Sequence, residues 1–224
     1  RRPFPPRGSA PWATAACWRI TVWAIPGGQR YRSPGAVRAE GDWSNAAFFL
    51  CAGALGGETD ITGLSPDSRQ SDRAIVSILK DFGADVKCGD MISVRGNGLH
   101  GIKIDISQCP DLFPTLAATA CAALGDTIFT NAARLRKKES DRIEAVEKMI
   151  NSLGGFAEST EDSLTVRGTG MLPGGEVDSF NDHRIVMAAA IAACICENPV
   201  IIHDAQAVNK SYPNFFEDYR KLGG

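Results

Sequence analysis

No run in this 224-residue sequence is long and apolar enough to cross a membrane as a helix. Arg1 and Arg2 followed by apolar residues mimic a signal peptide, but Arg19 interrupts the stretch, and that reading is set aside. Net charge is nearly absent. Twenty-four Lys and Arg against 26 Asp and Glu leave a formal charge of −2, which argues against a general nucleic-acid or membrane-surface binder but allows a local basic pocket. CxxC pairs are missing too. The seven cysteines (17, 51, 88, 109, 121, 194 and 196) are odd in number, and Cys121 and Cys194 sit in apolar helical runs where a thiol behaves as a small core residue. A structural zinc or disulfide framework is disfavoured, and a reducing, cytoplasmic compartment is expected.

What is present is regular alternation. A chain of this length buries a good core and forms one large domain or two small ones. Residues 1–25 are rich in Pro, Arg and Trp, show no sustained period, and are expected to form an atypical segment. Beyond them a helix capped by Asp42 or Ser44 runs through AAFFLCAGAL and stops at Gly56-Gly57. The strand ETDITG follows. A second helix from Ser71 carries Ala74, Ile75, Ile78 and Leu79 at helical spacing and ends at Gly83. ADVKC and MISVRG read as strands joined by a Gly89-Asp90 turn.

The order then recurs: strand IKIDIS, a helix over 111–124 with Pro114 tolerated in its first turn, strand TIFTN, a helix over 139–153, and paired strands FAEST and LTVRG. A third pass holds GEVDSF, a helix over 181–196, the strand PVIIHD and a helix over 213–222. Ser71-Asp72-Arg73 recurs as Ser140-Asp141-Arg142, and Val94-Arg95-Gly96 as Val166-Arg167-Gly168. The fold class is therefore α/β: three β-α-β-α-β-β units in pseudo-threefold arrangement, the third cut off before its last two strands.

Several motifs bear on chemistry. Gly96-Asn97-Gly98-Leu99-His100-Gly101 matches GxGxxG but leads into a strand rather than opening a helix, so a loop is the better reading. Asp111, at a helix start, is either an N-cap or a carboxylate aimed into a cleft as a proton acceptor. The run from Arg134 to Arg142 is either a solvated turn or an anion site, and it lacks the interleaved aromatics of a nucleic-acid binder. In the second case Arg142 offers a planar fork for a carboxylate, with Glu139 three residues earlier on the same helical face. Capping by Asn181 or Asp182 leaves His183 and Arg184 unexplained, because a basic pair in a first turn opposes the helix dipole unless an anion is bound. Lys210, at a loop-to-helix junction, is not singled out by composition.

Taken together, EGDWSNAAFFL (40–50), PDLFPTLAATACA (110–122), KKESDRIEA (137–145), NDHRIVMAAA (181–190) and NKSYPNFFED (209–218) resemble successive motifs of the EPSP synthase (3-phosphoshikimate 1-carboxyvinyltransferase) family, in order and spacing. The resemblance runs from about Pro26 to the end, with KESDR and NDHR its specific part. It implies that residues 26–224 are the C-terminal domain of the family's two-domain enolpyruvyl-transferase fold. The Lys-Ser pair, arginine and Ser-Ser-Gln site of the N-terminal domain have no counterpart here, so activity is expected only with that half supplied.

Residue by residue, the resemblance implies catalytic roles for Asp111, near the 5-hydroxyl of shikimate 3-phosphate, and Glu139, at C3 of phosphoenolpyruvate. Arg142 and Arg184 match the pair on the phosphoenolpyruvate carboxylate, Lys210 the lysine on its phosphate, and Lys138 and His183 line the site. The implied reaction is enolpyruvyl transfer on the route to chorismate and aromatic amino acids, without metal or organic cofactor. Glyphosate is the expected inhibitor, and the completed protein a monomer. Transfer to UDP-N-acetylglucosamine by the sister family, or a non-catalytic anion-binding remnant, are the alternatives.

Overall fold

The computed structural model describes residues 17–19, 22–24, 26–30 and 32–223. The chain divides into two units, Arg1–Ala39 and Glu40–Gly224. In the first, β1 (Cys17–Arg19) and β2 (Val22–Ala24) pair antiparallel, Trp18 opposite Trp23. Three residues per strand are too few to show alternation, which is why the sequence pattern gives no sign of this ribbon. The expectations for residues 1–16 lie outside the described residues.

The second unit holds three sheets. The middle one comprises β6 (Lys103–Asp105), β7 (Gly125–Thr130), β8 (Phe156–Ser159) and β9 (Leu164–Gly168), in the order β6-β7-β9-β8. Within it β6 runs parallel to β7, and the other pairs are antiparallel. The first sheet, from β3 (Glu58–Thr62), β4 (Asp85–Cys88) and β5 (Met91–Arg95), has the order β3-β5-β4, the same arrangement without an opening strand. The third holds only the parallel pair β10 (Gly175–Asp178) and β11 (Val200–His203). The three-unit reading with an incomplete third unit is borne out. Among the described residues of this second unit, the first sheet is also one strand short.

The first helix of each repeat, α1 (Trp43–Ala54), α3 (Phe113–Ala122) and α5 (His183–Ala192), packs against the other two. All ten residues of α5 are buried, which accounts for its apolar run having no polar face. The second helices, α2 (Ile75–Asp81) and α4 (Arg142–Ser152), bury one face each, α4 through Ile143, Val146, Met149 and Ile150. A short last helix, α6 (Phe215–Lys221), sets Phe215 among Phe48, Phe49, Tyr212, Phe216 and Tyr219.

The repeated Val-Arg-Gly has a steric cause. A Cβ on Gly168 would stand 1.8 Å from the Ala123 carbonyl oxygen, and one on Gly96 would stand 2.7 Å from that of Ala54. In both units the closing strand ends against the carbonyl end of the unit's first helix, an approach only glycine permits. A second shared device follows β3, β7 and β11, where Gly63, Asn131 and Asp204 take left-handed φ values of 82°, 58° and 53°.

Boundaries shift in places. IKIDIS contributes only Lys103–Asp105, because the Asp105 carboxylate accepts from the Ser107 amide and turns the chain out of the ladder. The helix expected from Glu139 begins at Arg142, since Asp141 caps it by accepting from the Glu144 amide. GNGLHG is a loop between β5 and β6, as its context indicates.

Candidate functional site

Asp111 lies in a 3-10 turn, Pro110–Leu112, ahead of α3, and its side chain makes no capping bond. Capping therefore does not explain the residue. Its half-buried carboxylate instead accepts from Lys138 Nζ at 3.2 Å and Arg142 Nη1 at 2.8 Å on one oxygen, and meets Arg184 Nη2 at 3.2 Å on the other. Burial acts to raise its pKa, but Arg184, Lys138 and Arg142 outweigh it and hold the group below the usual carboxylate range.

Arg142 is the first residue of α4, and its side chain is 1% exposed. Besides Asp111, it donates from Nη2 to Glu139 at 2.5 Å and from Nε to Asp182 at 2.8 Å. Glu139 lies outside the helix, so the shared helical face expected for the pair is not what joins them. Asp182, fully buried, caps α5 by accepting from the Arg184 amide at 2.9 Å. Burial works to raise the Asp182 pKa, yet the hydrogen bond and charge of Arg142 bring it below its ordinary value. Arg142 is itself pushed upward, burial being outweighed by Asp182, Glu139 and Asp111.

The basic pair at the start of α5 meets protein anions. Arg184 reaches the Asp111 carboxylate and also donates to its backbone carbonyl at 3.3 Å. His183 is buried, its Nδ1 lies 3.8 Å from Asp182 Oδ1, and that nitrogen has no hydrogen-bond partner among the described residues. Burial, then the charge of Arg184, depress its pKa and favour the neutral ring. Lys210 is exposed and forms no salt bridge among the described residues. Its Nζ donates to the Asn181 carbonyl at 2.5 Å, which ties it to the same helix start. Phe180 and Asn181 both take left-handed φ, 50° and 53°, so the entry to α5 is strained.

The rest of the basic run has other work. Arg136, in a 3-10 turn over Ala133–Lys137, pairs with Asp141 and donates to the Glu161 and Thr160 carbonyls. Local sequence reading missed Asp182 as the link between α4 and α5, a contact spanning 40 positions. It also missed buried Asp72, whose carboxylate accepts from Ser44 beside this cluster. Burial chiefly raises its pKa, and the charge of Asp111 adds to the rise.

Fold and site define the class: an α/β domain of repeated units that gathers guanidinium, ammonium and carboxylate groups at its helix starts. A family model described as EPSP synthase (3-phosphoshikimate 1-carboxyvinyltransferase) matches residues 19–219. Proteins called 3-phosphoshikimate 1-carboxyvinyltransferase from Clostridium novyi (strain NT) and Clostridium kluyveri are each 47% identical, over 84% and 89% of this chain and 43% and 47% of their own lengths. A solved EPSP synthase from Acinetobacter baumannii superposes with a TM-score of 0.79 at 28% identity, covering 96% of this chain and 52% of that one. The chain belongs to the EPSP synthase family. It spans about half the length of these relatives.

Proposed function

We propose that residues 26–224 form the C-terminal half of a 3-phosphoshikimate 1-carboxyvinyltransferase, active when the N-terminal half is present. The reaction moves the enolpyruvyl group of phosphoenolpyruvate to the 5-hydroxyl of shikimate 3-phosphate and releases phosphate. The observation that carries this reading is one hydrogen-bonded cluster in which Asp111 meets Lys138, Arg142 and Arg184, with Glu139 on Arg142. It joins a proton acceptor to two forks suited to a carboxylate.

In this scheme Arg142 and Arg184 hold the phosphoenolpyruvate carboxylate, and Lys210 holds its phosphate. Lys138 and His183 line the site. The hydroxyl is too weak an acid to ionise first, so its proton passes to Asp111 as the oxygen attacks C2, while Glu139, which must carry a proton in the substrate complex, delivers it to C3. The tetrahedral adduct then loses phosphate, which departs with the proton held by Asp111, as Glu139 takes a proton back from the new methyl and the double bond returns. Cations already in place stabilise the developing charge without reorganisation. Glyphosate competes at the phosphoenolpyruvate subsite, and the completed protein acts as a monomer. The free thiols of Cys51, Cys88, Cys109, Cys121, Cys194 and Cys196 fit a reducing, cytoplasmic setting.

The test is phosphate release from phosphoenolpyruvate plus shikimate 3-phosphate, with this chain mixed with a separately expressed N-terminal half of the family. Release that needs both halves and both substrates is expected, together with loss of turnover in Glu139→Gln and Arg184→Ala. No release from folded halves overturns the reading in favour of an anion-binding remnant. Near-normal turnover in either variant overturns the residue roles.

A further inference from the structure

We infer that Asp182 is a positioning residue: its carboxylate aims the Arg142 guanidinium and fixes the start of the helix that carries Arg184. The inference rests on the proposed function only in taking those two arginines as the carboxylate-holding pair. Asp182 has no exposed surface, and its carboxylate is engaged by protein donors.

Its two oxygens serve two helices. Oδ2 accepts from Arg142 Nε at 2.8 Å and from Ser140 Oγ at 3.1 Å. Oδ1 accepts from the Arg184 amide at 2.9 Å, with Arg142 Nη2 at 3.4 Å. The Nε edge of Arg142 is thereby anchored inside the protein. Nη1 and the second hydrogen of Nη2 point to Asp111 and Glu139, the side from which a ligand carboxylate arrives. A guanidinium fixed in plane before binding loses less freedom when it binds.

The first repeat supplies an internal comparison. Arg73 stands at the position of Arg142 in the recurring Ser-Asp-Arg, but it is exposed and turns to the Pro66 carbonyl. It has no salt-bridge partner among the described residues. The first helix of the following repeat brings Asp182 to Arg142. For Arg73 that helix begins, in the second repeat, beside Asp111, whose carboxylate Lys138, Arg142 and Arg184 take up instead. The same three-residue motif thus yields a buried, aimed arginine where a buried carboxylate receives it, and an outward one where none does.

The test uses this chain and the NMR signals of its arginine side chains. Exchange of the Arg142 Nε proton with water should run ~100-fold slower than that of Arg73, as for other buried hydrogen bonds. Equal rates overturn the inference, and this arm needs neither ligand nor variant. Asp182→Asn retains an acceptor for the Arg184 amide. It should speed the Arg142 exchange and raise the phosphoenolpyruvate Kd ~10- to 100-fold, the usual worth of a hydrogen bond to a charged group.

Ser140→Ala, a milder loss at the same oxygen, should shift both readouts in the same direction and serves if Asp182→Asn does not fold. With the N-terminal half added, Asp182→Asn should raise KM for phosphoenolpyruvate more than for shikimate 3-phosphate, whereas a merely structural defect would lower activity without that split. Unchanged affinity in Asp182→Asn alongside loss in Arg142→Ala overturns positioning. Unchanged affinity in Arg142→Ala overturns the carboxylate-holding role instead.

Discussion

Replacing Arg142 with Met should cost this chain about 3–5 kcal/mol, the range for removing one partner of a buried ion pair. The structure shows why the range for exposed pairs, ~0–1 kcal/mol, does not apply. Asp182 is fully buried and Arg142 nearly so, so the carboxylate left behind keeps only Ser140 Oγ and the Arg184 amide. Asp111 and Glu139, 32% and 45% exposed, can turn toward water, and their lost bonds add little. Methionine fills much of the volume of the arginine stem, which keeps a cavity out of the comparison.

The loss has a definite pH dependence. In the unsubstituted chain the Asp182 pKa is depressed, so it contributes stability above the unfolded aspartate value of ~3.9 and loses it as pH falls through the folded value. Without Arg142 burial is left to dominate and the shift reverses. The folded variant then binds the extra proton, and its stability falls as pH rises above ~4. Glu139, Asp111, Asp72, Lys138, His183 and Arg184 border the same cluster in both proteins, so the comparison is by difference. Urea unfolding at pH 7.5, 6, 5 and 4 measures it. The penalty should shrink toward acid, and Arg142→Met/Asp182→Asn should recover part of it at pH 7.5. A penalty under ~1 kcal/mol at pH 7.5, or one independent of pH, refutes the reasoning.

Gly168→Ala should destabilise at or above the upper end of the ~1–3 kcal/mol range for overpacking, because its Cβ would stand 1.8 Å from a backbone oxygen that cannot move alone. Gly96→Ala, at 2.7 Å, should cost less, and equal urea midpoints for the two would contradict the steric account. Phe215→Ala should cost ~3–5 kcal/mol, since the fully buried ring is central to the aromatic group joining α1 to α6. A loss below ~1 kcal/mol would mean that group contributes little.

The fold was legible wherever the signal was local and repeated. Val-Arg-Gly marks the same structural place twice, Ser-Asp-Arg precedes or opens the second helix of two repeats, and the helix over Trp43–Ala54 shows both its cap and its stop in the sequence. What failed was the inference from position to partner. Asp111 sits where a cap would sit, but three cations from later segments claim its carboxylate. Glu139 reaches Arg142 without helical geometry because the chain bends at Asp141. Asp182 reads as a cap and is one, while its second oxygen does the less visible work of receiving Arg142. No local pattern announces a buried acceptor supplied from another repeat.

The same cluster explains how the proposed anion site is stable by itself. Lys138, Arg142 and Arg184 carry three positive charges among Asp111, Glu139 and Asp182, so the helix starts are close to neutral as they stand. Asp111 then occupies the forks that the proposed ligand carboxylate would use. On that reading binding is an exchange of partners: the ligand takes up hydrogen bonds from Arg142 and Arg184, and Asp111 gives them up. Each bond lost removes part of what holds the Asp111 pKa down, and the arriving negative charge opposes its ionisation further. Asp111 therefore becomes a stronger base only when the ligand is in place. In the proposed reaction, such coupling holds Asp111 a weak base until the ligand arrives and makes the acceptor available at the step that needs it.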